Sequence, residues 1–166
     1  MIPKPNEHTV SLFVANKPGV LLRVCLVFSR RRFNIDSLVV SPAFDGKFSR
    51  MTIGASGEKD TLEQIIKQCN KLIDVVHASE HKPKNTVAVE VALIKLKASD
   101  TNRQLILQAV AHFKGKTIDF GPNSLIVQVQ GNSEKIDTCI EYLQKYGIME
   151  LVRSGKLVMA RGNKET

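Results

Sequence analysis

The sequence predicts an α+β protein built from two tandem ferredoxin-like (βαββαβ) domains, and three observations carry that prediction. Segments with alternating apolar residues, as in half-buried strands, are interleaved with segments whose apolar residues recur every three or four positions, as on one side of a helix. The order strand, helix, strand, strand, helix, strand occurs twice, with a period of about 80 residues. A polar, proline-containing stretch, HKPKN at 81–85, separates the two runs. The expected domains are therefore 8–80 and 87–162, joined by a linker at 81–86, each burying one sheet face under two helices.

In the first run, Val10, Leu12 and Val14 alternate with polar residues from Thr9 to Ala15, which predicts a strand. NKPG breaks the pattern. From Val20 to Arg32, Leu21, Val24, Cys25 and Phe28 fall at helical spacing, with Arg23 and Arg30 toward water. Ile35 to Ser41 and Phe48 to Ala55 are rich in β-branched residues and flank Asp45-Gly46, a pair suited to a chain reversal with positive φ, so a hairpin is expected. Asp60 and Glu63 make an acidic capping box ahead of Leu62, Ile65, Ile66, Cys69 and Leu72, and Val75 to Ser79 closes the unit. In the second run, Val87 to Lys97 predicts a strand, and Ser99 or Asp100 caps a helix carrying Leu105, Ile106, Ala109, Val110 and Phe113. Thr117 to Phe120 and Leu125 to Gln130 are strands on either side of a Gly-Pro-Asn turn. Ser133 opens a helix with Ile136, Cys139, Ile140 and Leu143 inward, Ile148 to Val152 is the sixth element, and Lys156 to Ala160 suits one further strand.

Composition narrows the function classes. At 166 residues and 43% apolar content the chain can build a core, while no apolar run approaches the roughly 20 residues of a membrane-spanning helix. MIPKPNEHT offers no signal-peptide stretch, and Cys25, Cys69 and Cys139 lie far apart among apolar residues, so a cytoplasmic protein with reduced thiols is expected. The net charge of +8 invites a nucleic-acid reading. That charge is scattered, however: only Arg30, Arg31 and Arg32 form a run, Trp is absent, and aromatics make up 5% of the chain.

Catalytic and metal constellations are not found in the sequence. His8 falls in an N-terminal stretch expected to be mobile, His77 in a strand, His81 in the linker and His112 near a helix end, none with a second ligand at motif spacing. No nucleotide-binding, hydrolase or metalloprotease motif occurs. An acylphosphatase would fit the fold class, but it needs an Arg within a phosphate-cradling loop, and Arg23 lies a turn inside the helix. The one purposeful constellation is Asn16-Lys17-Pro18-Gly19 between the first strand and the first helix. It offers a carboxylate the backbone amides of Gly19, Val20 and Leu21 and a positive helix end, while Asn16 can donate to a carboxylate or accept from an ammonium. Asn34 can supply a second amide. The alternative is ordinary turn chemistry, with Asn34 terminating the helix.

The segments NKPGVLLRV (16–24), RRFNIDSLVV (31–40), FSRMTI (48–53) and RSGKLVMARG (153–162) resemble the regulatory small subunits of acetolactate synthase (acetohydroxyacid synthase), in the same order and spacing. The resemblance implies an N-terminal ACT domain followed by an ACT-like domain, in a non-catalytic subunit that serves branched-chain amino acid biosynthesis. Such a subunit stimulates a separate catalytic large subunit and confers feedback inhibition by a branched-chain amino acid, usually valine. Thiamine diphosphate, magnesium and FAD would then reside on the catalytic chain and no cofactor on this one. The resemblance further implies at least a homodimer, with the effector held between Asn16 and Gly19 of one protomer and the region of Asn34 of the other, and with Val40 against the aliphatic side chain. The chain departs from the family at Arg32, where many members carry Gly. Two other readings remain: a free-standing tandem ACT amino-acid sensor with another partner, and a basic RNA-binding α/β module.

Overall fold

In the computed structural model, residues 7–82 and 85–163 are described. The chain alternates as expected: β1 (Glu7–Ala15), α1 (Val20–Arg30), β2 (Asn34–Pro42), β3 (Phe48–Ser56), α2 (Lys59–Cys69), β4 (Val75–Glu80), then β5 (Thr86–Lys97), α3 (Arg103–His112), β6 (Lys116–Phe120), β7 (Ser124–Gly131), α4 (Ser133–Gln144), β8 (Ile148–Arg153) and β9 (Leu157–Ala160). The first sheet has the order β2-β3-β1-β4 and the second β6-β7-β5-β8, with β9 also pairing with β5. Both are ferredoxin-like, with every pair along the two main paths antiparallel for the registers described.

The chain divides into two compact units, one holding residues 7–87 and 155–163 and the other Ala88–Ser154. In the first, Val10, Leu12 and Val14 of β1 and Met51, Ile53 and Ala55 of β3 face Val20, Val24 and Phe28 of α1 and Leu62, Ile65 and Cys69 of α2. In the second, Ala92, Ile94 and Leu96 of β5 and Leu125, Val127 and Val129 of β7 pack under Ile106 and Val110 of α3 and Ile136, Cys139 and Leu143 of α4. Period-2 strands meet period-3.6 helices on one face, and each fully buried Leu, Ile or Phe contributes roughly 1.5–3 kcal/mol. Burial pushes the Cys69 and Cys139 thiols up to about 11, and Cys25, half-buried on α1, also rises.

Several local expectations are corrected. The Asp60/Glu63 box does not form: Glu58 occupies the N-cap of α2 without a side-chain hydrogen bond, and Asp60 lies in the first turn. Neither Ser99 nor Asp100 is the N-cap of α3, a place taken by Asn102; Ser133 does open α4 as expected, behind the N-cap Asn132, whose side chain accepts from the Lys135 amide. His8 is an ordered part of β1, its Nδ1 2.8 Å from Glu80 Oε1 and its Nε2 3.1 Å from the Gly57 carbonyl. Of the expected linker, 83–84 lie outside the described residues, and Thr86 is already the first residue of β5. By its contacts the chain from Gly155 on groups with the first compact unit, where Lys156 Nζ pairs with Glu7 Oε1 at 2.5 Å and Gly155 lies buried against Ser37 and Val39 of β2. No helix among the described residues is long and apolar enough to cross a membrane.

Candidate functional site

The loop between β1 and α1 is pinned at its start and left open at its end. Ala15 N donates to Asp74 O at 2.8 Å and Asn16 N to Lys47 O at 2.9 Å, which carries the strand end onto neighbouring turns. Asn16 Nδ2 donates to Gly46 O at 3.0 Å. That bond takes one of the two Nδ2 hydrogens and fixes the amide orientation, so Asn16 offers Oδ1, an acceptor, to anything entering the loop. Gly19 then takes φ +81 as the N-cap of α1, a left-handed conformation that L side chains rarely adopt. It supplies no side-chain cap, and α1 has no acidic residue in its first turn. Val20 N reaches Lys17 O only at 3.4 Å, while the amides of Gly19 and Leu21 have no acceptor among the described residues. A helix start with unsatisfied amides and no anion of its own is suited to a carboxylate.

The second asparagine lies elsewhere. Asn34 begins β2 and is paired across β3 with Ser56, whereas Pro42, at the other end of β2, is paired with Ser49. On β3, Ser56 faces Glu7 at the start of β1 and Phe48 faces Ala15 at its end. Asn34 and the Asn16 loop therefore occupy opposite ends of one sheet, separated by the length of a nine-residue strand, about 27 Å at 3.4 Å per residue. Asn34 Nδ2 donates to Asp36 Oδ1 at 2.7 Å, and Ser56 Oγ donates to the other oxygen of the same carboxylate. Asn34 thus also presents an acceptor oxygen, beside a negative charge. One end of the sheet thus carries the open amides of a helix start, and the other an asparagine oxygen beside a bonded carboxylate.

Of the residues singled out in the sequence, Asn16, Gly19, Val20 and Leu21 come together in one loop, while Asn34 does not join them within the chain. The Val20 side chain is buried in the core, so only its amide faces the loop, and Leu21 is exposed. Val40 is exposed on β2, paired with Met51 and therefore on the helix-covered face of the sheet, two residues from the loop end of the strand. Sequence reasoning passed over Arg23 and Asp74. Arg23 Nη1 lies 3.1 Å from where a Cβ on Gly19 would sit, and Nη2 contacts Asp74 Oδ2 at 2.5 Å. The i to i+4 spacing of Gly19 and Arg23 on a helix start was the available signal; Asp74, 51 residues away from Arg23, gave none.

Two ferredoxin-like units in tandem, the first with a glycine-opened helix start and an asparagine-bearing edge strand, define a tandem ACT protein. Comparison with known proteins gives the family. A family model described as an AHAS small subunit-like ACT domain matches residues 10–77, and one described as the small subunit of acetolactate synthase matches residues 89–162. The chain is 43% identical over 162 residues to a probable acetolactate synthase small subunit of Methanothermobacter thermautotrophicus, covering 97% of this chain and 96% of that one. It is 45% identical over 155 residues to the acetolactate synthase small subunit of Mycolicibacterium smegmatis, covering 93% and 91%. The crystal structure of the acetolactate synthase small subunit from Thermotoga maritima superposes with a TM-score of 0.85 at 38% identity, over 96% of this chain and 100% of that one. The chain belongs to the acetolactate synthase small-subunit family.

Proposed function

We propose that this chain is the regulatory subunit of acetolactate synthase in branched-chain amino acid biosynthesis: it stimulates a catalytic large subunit and makes it sensitive to feedback inhibition by a branched-chain amino acid, valine foremost. Family membership supports the partnership. The observation that carries the effector reading is the separation of a donor-rich half-site at the Asn16–Gly19 loop from an acceptor-rich half-site at Asn34 and Asp36, on opposite ends of one sheet. A single chain cannot close both around one small molecule. Two chains can, because β2 is the edge of its sheet. If two β2 edges pair antiparallel about Leu38, Pro42 of one chain stands opposite the partner subunit's Asn34, bringing each loop to the other chain's asparagine. The effector carboxylate then meets the α1 amides, its ammonium meets asparagine oxygens, and Val40 borders the aliphatic group.

Thiamine diphosphate, magnesium and FAD belong on the catalytic chain in this reading, and the isolated regulatory chain forms no acetolactate from pyruvate even when all three are supplied. The test is reconstitution with the catalytic subunit. Acetolactate formation rises on adding this chain and falls on adding valine, while light scattering gives a mass of at least a dimer. A monomer with and without valine, or a reconstituted enzyme indifferent to all three branched-chain amino acids, overturns the proposal.

A further inference from the structure

We infer that Arg23 is a specificity-determining residue of the effector site, its guanidinium held through Nη2 by Asp74 and presenting Nη1 to the carboxylate of the bound amino acid. The inference rests on the effector reading of the Asn16–Gly19 loop and adds to it a charged side chain from outside the loop, one turn into α1. The placement is specific. Arg23 Nη1 is the nearest heavy atom to a Cβ built on Gly19, at 3.1 Å, so the guanidinium lies over the glycine whose amide opens the helix. An anion on the Gly19 and Leu21 amides is within its reach. Arg23 is half-exposed, whereas Asp74 is 15% exposed and fixed in the turn before β4, so the carboxylate is the anchor and the guanidinium the moving part. A planar guanidinium has five N–H donors, and one contact to Asp74 leaves most of them for a second carboxylate.

Two other arginines of the chain show what a committed guanidinium looks like. Arg103, at the start of α3, donates to the carbonyls of Gly121 (2.9 Å), Ala98 (3.5 Å) and Pro122 and lies over the Phe120 ring. Arg153 is divided between Glu90 and Asp137. Among the described residues, Arg23 has one carboxylate partner, Asp74, and it faces an open loop. A charge-assisted bond from Nη1 complements the helix amides, which bind carboxylates through partial charges only, and it discriminates an amino acid from an amine or an alcohol of the same shape.

A purely structural ion pair makes a different prediction from a ligand-reading one, and the sign of the charge change separates them. Wild type, Arg23→Gln, Arg23→Lys and Asp74→Asn are each titrated with valine, both as the free chain by calorimetry and reconstituted with the catalytic subunit, with thermal melts alongside. Arg23→Gln raises the half-saturating valine concentration about tenfold or more, the range for losing a charged hydrogen bond. Arg23→Lys, which keeps the charge but loses the fork, weakens valine severalfold and decides the matter where the glutamine variant does not fold. Asp74→Asn removes a negative charge from beside the site and leaves valine affinity equal or higher. Unchanged valine affinity in Arg23→Gln or Arg23→Lys, or equal weakening by Arg23→Gln and Asp74→Asn, overturns the inference while leaving the loop reading intact. A wild-type chain with no valine response overturns both.

Discussion

The two halves of this chain end their first helix in the same way and begin it differently. At the end of α1, Arg32 takes φ +54, its amide bonds to Ser29 O at 2.9 Å, and Phe33 N bonds to Phe28 O at 3.1 Å. At the end of α3, Lys114 takes φ +53, its amide bonds to Ala111 O at 2.9 Å, and Gly115 N bonds to Val110 O at 2.8 Å. Both are Schellman closures with a basic residue in the left-handed position. At the helix starts the likeness stops. The loop before α3 satisfies itself: Asn102 Oδ1 accepts from Ser99 N at 2.8 Å, Asn102 N bonds to Ser99 O at 3.2 Å, and Arg103 covers the neighbouring carbonyls. The loop before α1 has glycine where α3 has a self-bonded asparagine. The repeated fold is thus carried by strand pairing, core faces and helix ends, and the proposed effector role rests on the loop at which the two copies differ.

The largest effect expected from breaking that difference is in Gly19→Asp. The Cβ of an aspartate at residue 19 starts 3.1 Å from Arg23 Nη1, so its carboxylate folds back onto the guanidinium and the α1 amides and takes the place proposed for the effector's own carboxylate. Valine inhibition of the reconstituted enzyme disappears, while stimulation largely persists. The backbone cost of a side chain at φ +81 is about 1–2 kcal/mol and is shared by Gly19→Ala, which isolates strain from charge. If alanine abolishes inhibition as completely as aspartate, strain and not charge explains the effect. If inhibition by valine is unchanged in a folded aspartate variant, the loop is a turn and nothing more.

The matching change in the other copy is Asn102→Ala, which removes the acceptor for Ser99 N and so costs about 1 kcal/mol of stability. It leaves the valine titration where it was. A shifted titration would mean that the closed loop takes part in effector response after all, and the contrast drawn between the two helix starts would fail. Thermal melts and valine titrations of the same preparations decide it.

How far the sequence carried this comparison depends on the range of the interaction. Strands and helices were legible because alternation and helical spacing are local and face a core: Val10, Leu12 and Val14, or Ile136, Cys139 and Leu143, have few other ways to be buried together. The Asn16–Gly19 loop was legible for the same reason. Ser133 does open α4, but the caps of α2 and α3 were misplaced by two to three residues because neither helix start is closed by a side chain: Glu58 and Asn102 make no side-chain bond to the helix amides, and Asn102 Oδ1 instead accepts from the Ser99 amide. What lay beyond sequence reasoning was long-range. Glu80 fixes His8 from 72 residues away, and Glu7 draws Lys156 back to the first unit across 149. The separation of Asn34 from Asn16 followed only from strand register.

A smaller difference between the halves is acid sensitivity. His81 lies in the first unit with its imidazole pKa lowered from 6.5 by burial, then by the positive charge of Arg50 and by His77. The unfolded chain takes up that proton at a higher pH than the folded one, so the contribution of neutral His81 is present above 6.5 and is lost as pH falls through the lower folded value. Once exchange rates are corrected for the intrinsic slowing of amide exchange in acid, the protection of β1 and β4 therefore falls on mild acidification more than that of β5 and β7. His81→Gln, which cannot protonate, flattens the dependence; an unaltered dependence in that variant assigns the effect to another group.

The smallest expected effect tests the feature the two copies share. A residue with a Cβ in the left-handed region costs about 1–2 kcal/mol, whereas glycine there has no such penalty but loses about 0.5–1 kcal/mol more chain entropy on folding. Arg32→Gly and Lys114→Gly are therefore each expected to stabilise by about 0.5 kcal/mol, and equally, because the hydrogen bonds that close the two helices match to within 0.3 Å. Arg32 and Lys114 are exposed, so little packing is lost with either side chain. The two sites need not remain equal if the next residue matters. Phe33 packs edge-on against Phe28 at 6.3 Å and locks the first closure, whereas Gly115 leaves no side chain to do so in the second. Where that lock dominates, Lys114→Gly makes two consecutive glycines and loosens the turn, and its gain vanishes while that of Arg32→Gly survives. Chemical denaturation of the two single variants and the double variant separates these outcomes: additive gains mean that backbone strain alone sets the cost, and a gain at residue 32 only means that the aromatic contact decides how well each helix end is held.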